Sequence, residues 1–183
     1  WKLNQIAPDL RELATSDKAE PALQQAALEG LVALGGADSL ATIEEVARLG
    51  KSIDLRSSAV AGLARLDTSA AATAAADVLK IARPQDDIEP MLAALLGRQD
   101  GAEKLAQALA ADRPTADAAK LTLRHMYALG RSDQALSDVL SKAAGIALDA
   151  PPPSQEEVAK LAAEVATKGD AARGEQIFLR ADL

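Results

Sequence analysis

The single histidine, His125, is the first residue to consider for chemistry, since imidazole can exchange a proton near neutral pH or bind a transition metal. It stands beside Met126 and Tyr127 in a helical stretch, with no cysteine and no second histidine in the chain to complete a site. A structural or surface role follows. The acidic run Asp86-Asp87-x-Glu89 offers oxygen ligands to a hard cation, but it lacks the spacing and turn glycine of a calcium loop; carboxylates placed there also favour a helix N-terminus. Gly169 to Gly174 has the G-x-x-x-x-G spacing, yet Glu175-Gln176 stands where a phosphate loop needs Lys followed by Ser or Thr. A nucleophile would need Ser, Thr or Lys beside an activating base, and no strand-turn-helix elbow frames a G-x-S-x-G arrangement. The residues therefore give no catalytic group, no metal set and no cofactor site, and the chain reads as non-enzymatic.

The elements around these residues follow from composition. Of 183 residues, 43 are Ala and 27 Leu, against 7 Val and 7 Ile. Those two strong helix formers predict an all-α chain. Lys and Arg number 20 against 27 Asp and Glu, a net charge of −7, and only 2% of residues are aromatic. An acidic chain with no basic run and no stacking surface is a poor partner for nucleic acid. No apolar run reaches the roughly 18 residues of a membrane span. The opening Trp1-Lys2-Leu3-Asn4 has neither an initiator Met nor a signal core, so the chain reads as a piece of a longer polypeptide.

Apolar residues recur at spacings of three and four between Gly, Pro, Asp and Ser breaks. This predicts helices over residues 3–15, 19–34, 38–49, 54–66, 68–82, 87–97, 101–111, 115–129, 132–147 and 154–168. Asp54, Thr68, Thr115 and Ser132 are the expected caps, and Ser154 with Glu157 forms an S-x-x-E capping box. The pairs Glu44 with Arg48, Glu156 with Lys160 and Glu164 with Lys168 are expected on solvated faces.

Alternate helices repeat one another. Leu23-Gln24-Gln25-Ala26-Ala27-Leu28-Glu29-Gly30-Leu31-Val32-Ala33-Leu34 and Leu55-Arg56-Ser57-Ser58-Ala59-Val60-Ala61-Gly62-Leu63-Ala64-Arg65-Leu66 both follow L-[QR]-x-x-A-x-x-G-L-x-x-L. Leu34, Leu66, Leu96 and Leu129 end successive units at intervals of 32, 30 and 33 residues. Such a recurrence marks helix pairs that bury their apolar faces only against neighbouring pairs. The second pattern resembles the second helix of HEAT repeats, including its Arg. That resemblance implies helix pairs stacked as a right-handed α-α superhelix over residues 1–148, about four to five pairs. The third unit departs from the pattern at Glu89-Pro90-Met91-Leu92, so its helix is expected to start late or kink. In the fourth, His125-Met126 replaces Gly-Leu.

Ala150-Pro151-Pro152-Pro153 cannot sit inside a helix, and residues 149–153 read as a linker before a connecting helix at 154–168. Residues 169–183 contain Gly169-Asp170-x-x-Arg173-Gly174-Glu175-x-Ile177-Phe178, which resembles the first helix of a c-type cytochrome domain. In that family a C-x-x-C-H haem-attachment motif follows within a few residues, and this chain stops before any such motif. HEAT-like repeats followed by this string resemble the central part of the multi-domain haem-binding proteins of planctomycete and verrucomicrobial type. The resemblance implies a periplasmic or cell-surface location, haem c downstream in the parent, and a parent that is part of an oxidoreductase.

The function implied for this segment is non-catalytic: it spaces or orients a dehydrogenase-like domain and a c-type cytochrome, its partners being protein domains of the same polypeptide. The alternative is a free-standing HEAT-repeat binding scaffold unrelated to haem. A HEAT-like DNA glycosylase would need a basic groove, which the net charge disfavours. Within the superhelix, the residues expected on the concave face as partner contacts are Gln25, Glu29, Arg56, Lys120 and Arg124.

Overall fold

The computed structural model describes residues 3–146 and 153–178, and every described element is helical. A 3₁₀ turn, Leu3–Ile6, leads into α1 (Ala7–Thr15), followed by α2 (Pro21–Leu34), α3 (Ala37–Leu49), α4 (Ile53–Leu66) and α5 (Thr68–Leu79). Then come α6 (Glu89–Leu96), α7 (Gly101–Ala111), α8 (Ala116–Ala128), α9 (Gln134–Ala144), α10 (Gln155–Lys168) and α11 (Ala171–Phe178). The chain divides into two compact units, Trp1–Leu148 and Asp149–Leu183. Most of the expected linker and residues 179–183 of the expected cytochrome-like start lie outside the described residues.

Where helices begin and end, the cause is local. Pro21 and Pro90 sit in the first turns of α2 and α6, where a missing N–H costs nothing, so α6 begins two residues later than expected. Helix α5 ends three residues earlier than expected, at Leu79, a few residues ahead of Pro84. Helix α9 closes on Gly145, whose φ of 70° is left-handed, and Ile146 N donates back to Ser141 O at 2.9 Å. That closure, rather than continuation to 147, is what a glycine after the last helical residue favours.

The caps differ from expectation by one or two residues. Ser52, not Asp54, caps α4 by accepting from Leu55 N; Asp67, not Thr68, caps α5 through Ser69 N and Ala70 N; α9 starts after Asp133 without a side-chain cap from Ser132. Thr115 and the Ser154–Glu157 box cap α8 and α10 as the pattern predicts. Of the three expected i,i+4 ion pairs, Lys168–Glu164 closes at 2.9 Å, and neither of the others does among the described residues.

In the first unit the odd-numbered helices pack in succession, α1 on α3, α3 on α5, α5 on α7 and α7 on α9. The even-numbered ones do the same from α2 through α4 and α6 to α8, and the two rows face each other most closely at α1–α2, α3–α4, α4–α5 and α8–α9. One continuous apolar core runs between the rows, with Leu31, Ile43, Leu63, Leu79, Met91, Leu92, Leu105, Leu109 and Met126 fully buried. Each such side chain contributes roughly 1.5–3 kcal/mol by leaving water. Leu66, which the repeat pattern groups with Leu63, is 40% exposed because it lies in the last turn of α4, beyond the facing row.

The repeated glycines set the spacing within the even row and between α1 and α2. A Cβ on Gly62 would stand 2.8 Å from Val32 Cγ2, and one on Gly30 would stand 2.9 Å from Leu10 Cδ1. Their absence of a side chain lets helices approach closely enough for the flanking Leu residues to interdigitate.

The second unit is different in kind. Helix α10 has no buried residue, and Val158, Leu161 and Val165, spaced at three and four, are 49%, 57% and 65% exposed.

Candidate functional site

Each residue singled out for chemistry has a defined place among the helices. His125 is partly buried on α8, in its last turn. Asp86 Oδ2 accepts from Arg83 N at 2.7 Å and Asp87 Oδ1 from Glu89 N at 3.1 Å, so both carboxylates satisfy the turn that leads into α6. Among the described residues no three His, Asp or Glu side chains converge as a metal group. Asp170 accepts from Arg173 N at 3.0 Å through Oδ1, and Gly174 N donates to its carbonyl, which makes the Gly169-Asp170-x-x-Arg173 string the start signal of α11.

The [QR] position of the repeated pattern has a defined task. Gln24, near the start of α2, donates through Nε2 to Ser16 O at 3.0 Å; Arg56, at the same place in α4, donates through Nε to Ala47 O at 2.9 Å. Each acceptor lies at the C-terminal end of the preceding helix, where carbonyls lack intrahelical partners and carry the negative end of the helix dipole. Burial pushes the Arg56 guanidinium below its ordinary value, and nearby Asp77 opposes that shift. Arg56 therefore does not stand with Gln25 and Glu29 on the outer surface of the even row; it is turned inward to seal the end of α3.

The start of α6 is sealed from α4 in a related way. Asp54 Oδ1 accepts from Asp87 N at 3.2 Å and Ser57 Oγ from Met91 N at 3.4 Å. Ser57 is fully buried, so this bond offsets the desolvation of two polar groups. Asp54 lies inside the first turn of α4, past the Ser52 cap, which leaves its carboxylate for this bond.

Gln25 and Glu29 do share a site. They line a groove of about 390 Å³ across α2, α4 and α6, floored by Leu28 and Val32 and closed by Ser58, Arg65 and Pro90. Gln25 Nε2 donates to Ser58 Oγ at 3.2 Å across the groove. Ser58 and Arg65 were not among the expected contacts; their signal is the turn spacing 58, 61, 65 on α4, which parallels 25, 28, 32 on α2. Lys120 and Arg124 are exposed on α8, one turn apart, with Lys120 Nζ 4.0 Å from Asp117 Oδ1, and neither lines that groove. The five expected contacts thus divide into two in the groove, two on α8 and one sealing a helix end.

No helix of the described residues is long and apolar enough to cross a membrane. Compared with known proteins, the chain matches no family model, no curated protein and no solved structure.

Proposed function

We propose that residues 1–148 are a HEAT-type array of helix pairs, stacked as a right-handed superhelix, and that the segment works without catalysis, by holding and presenting other protein domains. The observation that carries this reading is the paired task of Gln24 and Arg56. Residues 32 positions apart in sequence seal the preceding helix in the same way, as equivalent positions of a repeat would. The two rows of alternating helices support it as well. Such an array is semi-rigid, because each pair is buried only against its neighbours, and this suits it to fix the distance between two attached domains.

On the likeness of residues 169–183 to a cytochrome start, those domains are a dehydrogenase-like domain and a c-type cytochrome of one exported polypeptide, located in the periplasm or at the cell surface. Covalent haem c needs two cysteine thioethers and an axial ligand; this chain has no cysteine, so it does not fit the group, and the haem belongs to another stretch of the parent. The test is the visible spectrum of the native polypeptide carried about a hundred residues past Leu183 and expressed with export and cytochrome maturation. Attached haem supports the reading. A haem-free product leaves the second reading, a free-standing binding scaffold, which the groove lined by Gln25, Glu29 and Arg65 favours.

A further inference from the structure

The turn between α6 and α7 holds the one Asp-Gly step of the sequence, Asp100-Gly101. Residues 97–100 are exposed, whereas Gly101 is buried as the first residue of α7. Glycine is obligatory there: a Cβ would collide with Leu95 O and stand 2.7 Å from the Leu95 carbonyl carbon. The close approach of α7 to the end of α6 therefore imposes this step on the chain, whatever its chemistry.

That chemistry is intramolecular. A backbone amide nitrogen can attack the side-chain carboxyl of the preceding residue and close a five-membered imide, and a glycine at the attacking position, with no Cβ, hinders the approach least. The acid form reacts, because its hydroxyl leaves as water. Gly101 N would bond to Asp100 Cγ, and the amide proton and the carboxyl hydroxyl would leave together as one water. Water returning at Cγ restores aspartate. Water returning at the Asp100 main-chain carbonyl breaks the old C–N bond, and the chain then runs on through Cβ and Cγ as isoaspartate. The balance needs no oxidant and no co-reactant other than water.

The fold withholds each requirement. Ring closure needs Gly101 N on the Cβ side of the Asp100 Cα–C bond; at a ψ of 4° the amide is turned away from it, and Gly101 N donates to Arg98 O at 3.3 Å. Lys104 Nζ lies 2.6 Å from Asp100 Oδ2 and holds the carboxyl below its ordinary value, in the unreactive ionised form; Arg98 acts in the same direction. The Asp100 carbonyl is committed as well, accepting from Lys104 N at 3.0 Å. We propose that Asp100–Gly101 is a latent isomerisation site, kept closed by the first turn of α7 and the Lys104 pair, which converts to isoaspartate when that turn opens. Conversion lengthens the chain by one atom at the start of α7 and turns the carbonyl that receives Lys104 N into a free carboxylate, so the opening leaves a covalent record.

The test is peptide mapping of the intact chain after incubation at pH 6 and 37 °C, both folded and in guanidinium chloride, with electron-transfer fragmentation to tell isoaspartate from aspartate. Isoaspartate at position 100 should accumulate at least tenfold faster in the unfolded chain than in the folded one, and faster there than at Asp38, which precedes Ser39. In the folded chain, Lys104→Gln keeps a long helix-forming side chain and loses the charge, and it should raise the rate at least threefold with an unchanged circular dichroism spectrum. Lys104→Arg should leave the rate near that of the wild type. Equal rates in folded and unfolded chains, no excess over Asp38 in the unfolded chain, or a Lys104→Gln rate equal to wild type overturns the proposal.

Discussion

Replacing Arg56 by Ala separates a partner contact from an internal seal. Two losses can be worked from the structure. The first is a hydrogen bond from a charged donor to Ala47 O at 2.9 Å, a class worth about 1.5–3 kcal/mol, toward the lower end here because the side chain is half-buried. The second is packing: the Arg56 stem lies against Gly50, its Cγ 3.0 Å from where a Gly50 Cβ would be, and one methylene half removed from water is worth about 0.4 kcal/mol. A loss of about 2 kcal/mol results, and for a unit of this size that lowers the melting temperature by roughly 4–8 °C. Arg65→Ala, on the same helix but exposed in the groove, should shift stability by less than about 0.5 kcal/mol. Arg56→Met, which keeps the stem and loses the bond, should recover only the smaller part. Thermal and urea unfolding of the three variants measures this directly. A midpoint for Arg56→Ala within 1 °C of wild type, or equal to that of Arg65→Ala, would refute the sealing role and return Arg56 to the surface contacts.

Other outcomes follow from the same geometry. Leu63→Ala should cost roughly 2–5 kcal/mol, while Leu66→Ala, 40% exposed, should cost under half as much and Lys160→Ala less than about 0.5 kcal/mol; equal urea midpoints for the three would contradict the packing. Gly101→Ala should destabilise by about 1–3 kcal/mol despite the better helix propensity of Ala, because the new Cβ would be driven against the Leu95 carbonyl group, 2.7 Å from its carbon. Gly174→Ala, with open space around it, should be neutral or raise helicity by circular dichroism; the reverse order would falsify the steric account. In the capping box, Ser154 N and Oγ donate to Glu157 and hold its carboxyl below the ordinary value of 4.5. A depressed folded-state value means the box contributes fully above 4.5 and is lost as pH falls through that lower value. A carbon-13 titration should place the Glu157 midpoint below 4.5 and raise it only in part in Ser154→Ala, which removes the hydroxyl donor but keeps the backbone N–H; a Glu157 midpoint at or above 4.5 would contradict the box.

The helices were legible because their signals are local. Apolar spacing, Pro in a first turn and Gly after a last one act within a turn or two of the residue concerned, and α2, α3, α4, α7 and α10 begin or end within two residues of where those signals put them. The caps were less legible, since Ser52, Asp54, Asp67 and Thr68 are all competent acceptors and local sequence does not choose among neighbours. Among the surface contacts, Gln25 and Glu29 were placed together by turn spacing on one helix, whereas Ser58 and Arg65, which complete the groove, come from the next helix of the row.

By itself the sequence determined an all-helical chain, the punctuation of its helices and the equivalence of Gln24 with Arg56. Only the tertiary structure decided that Arg56 faces inward to Ala47 and that Asp54 and Ser57 serve α6 rather than α4. The physical reason is range. Helix periodicity fixes which stripe of a helix is buried, but a polar side chain at the edge of that stripe chooses its partner from whatever helix packs there. In this fold that partner lies up to 34 residues away along the chain.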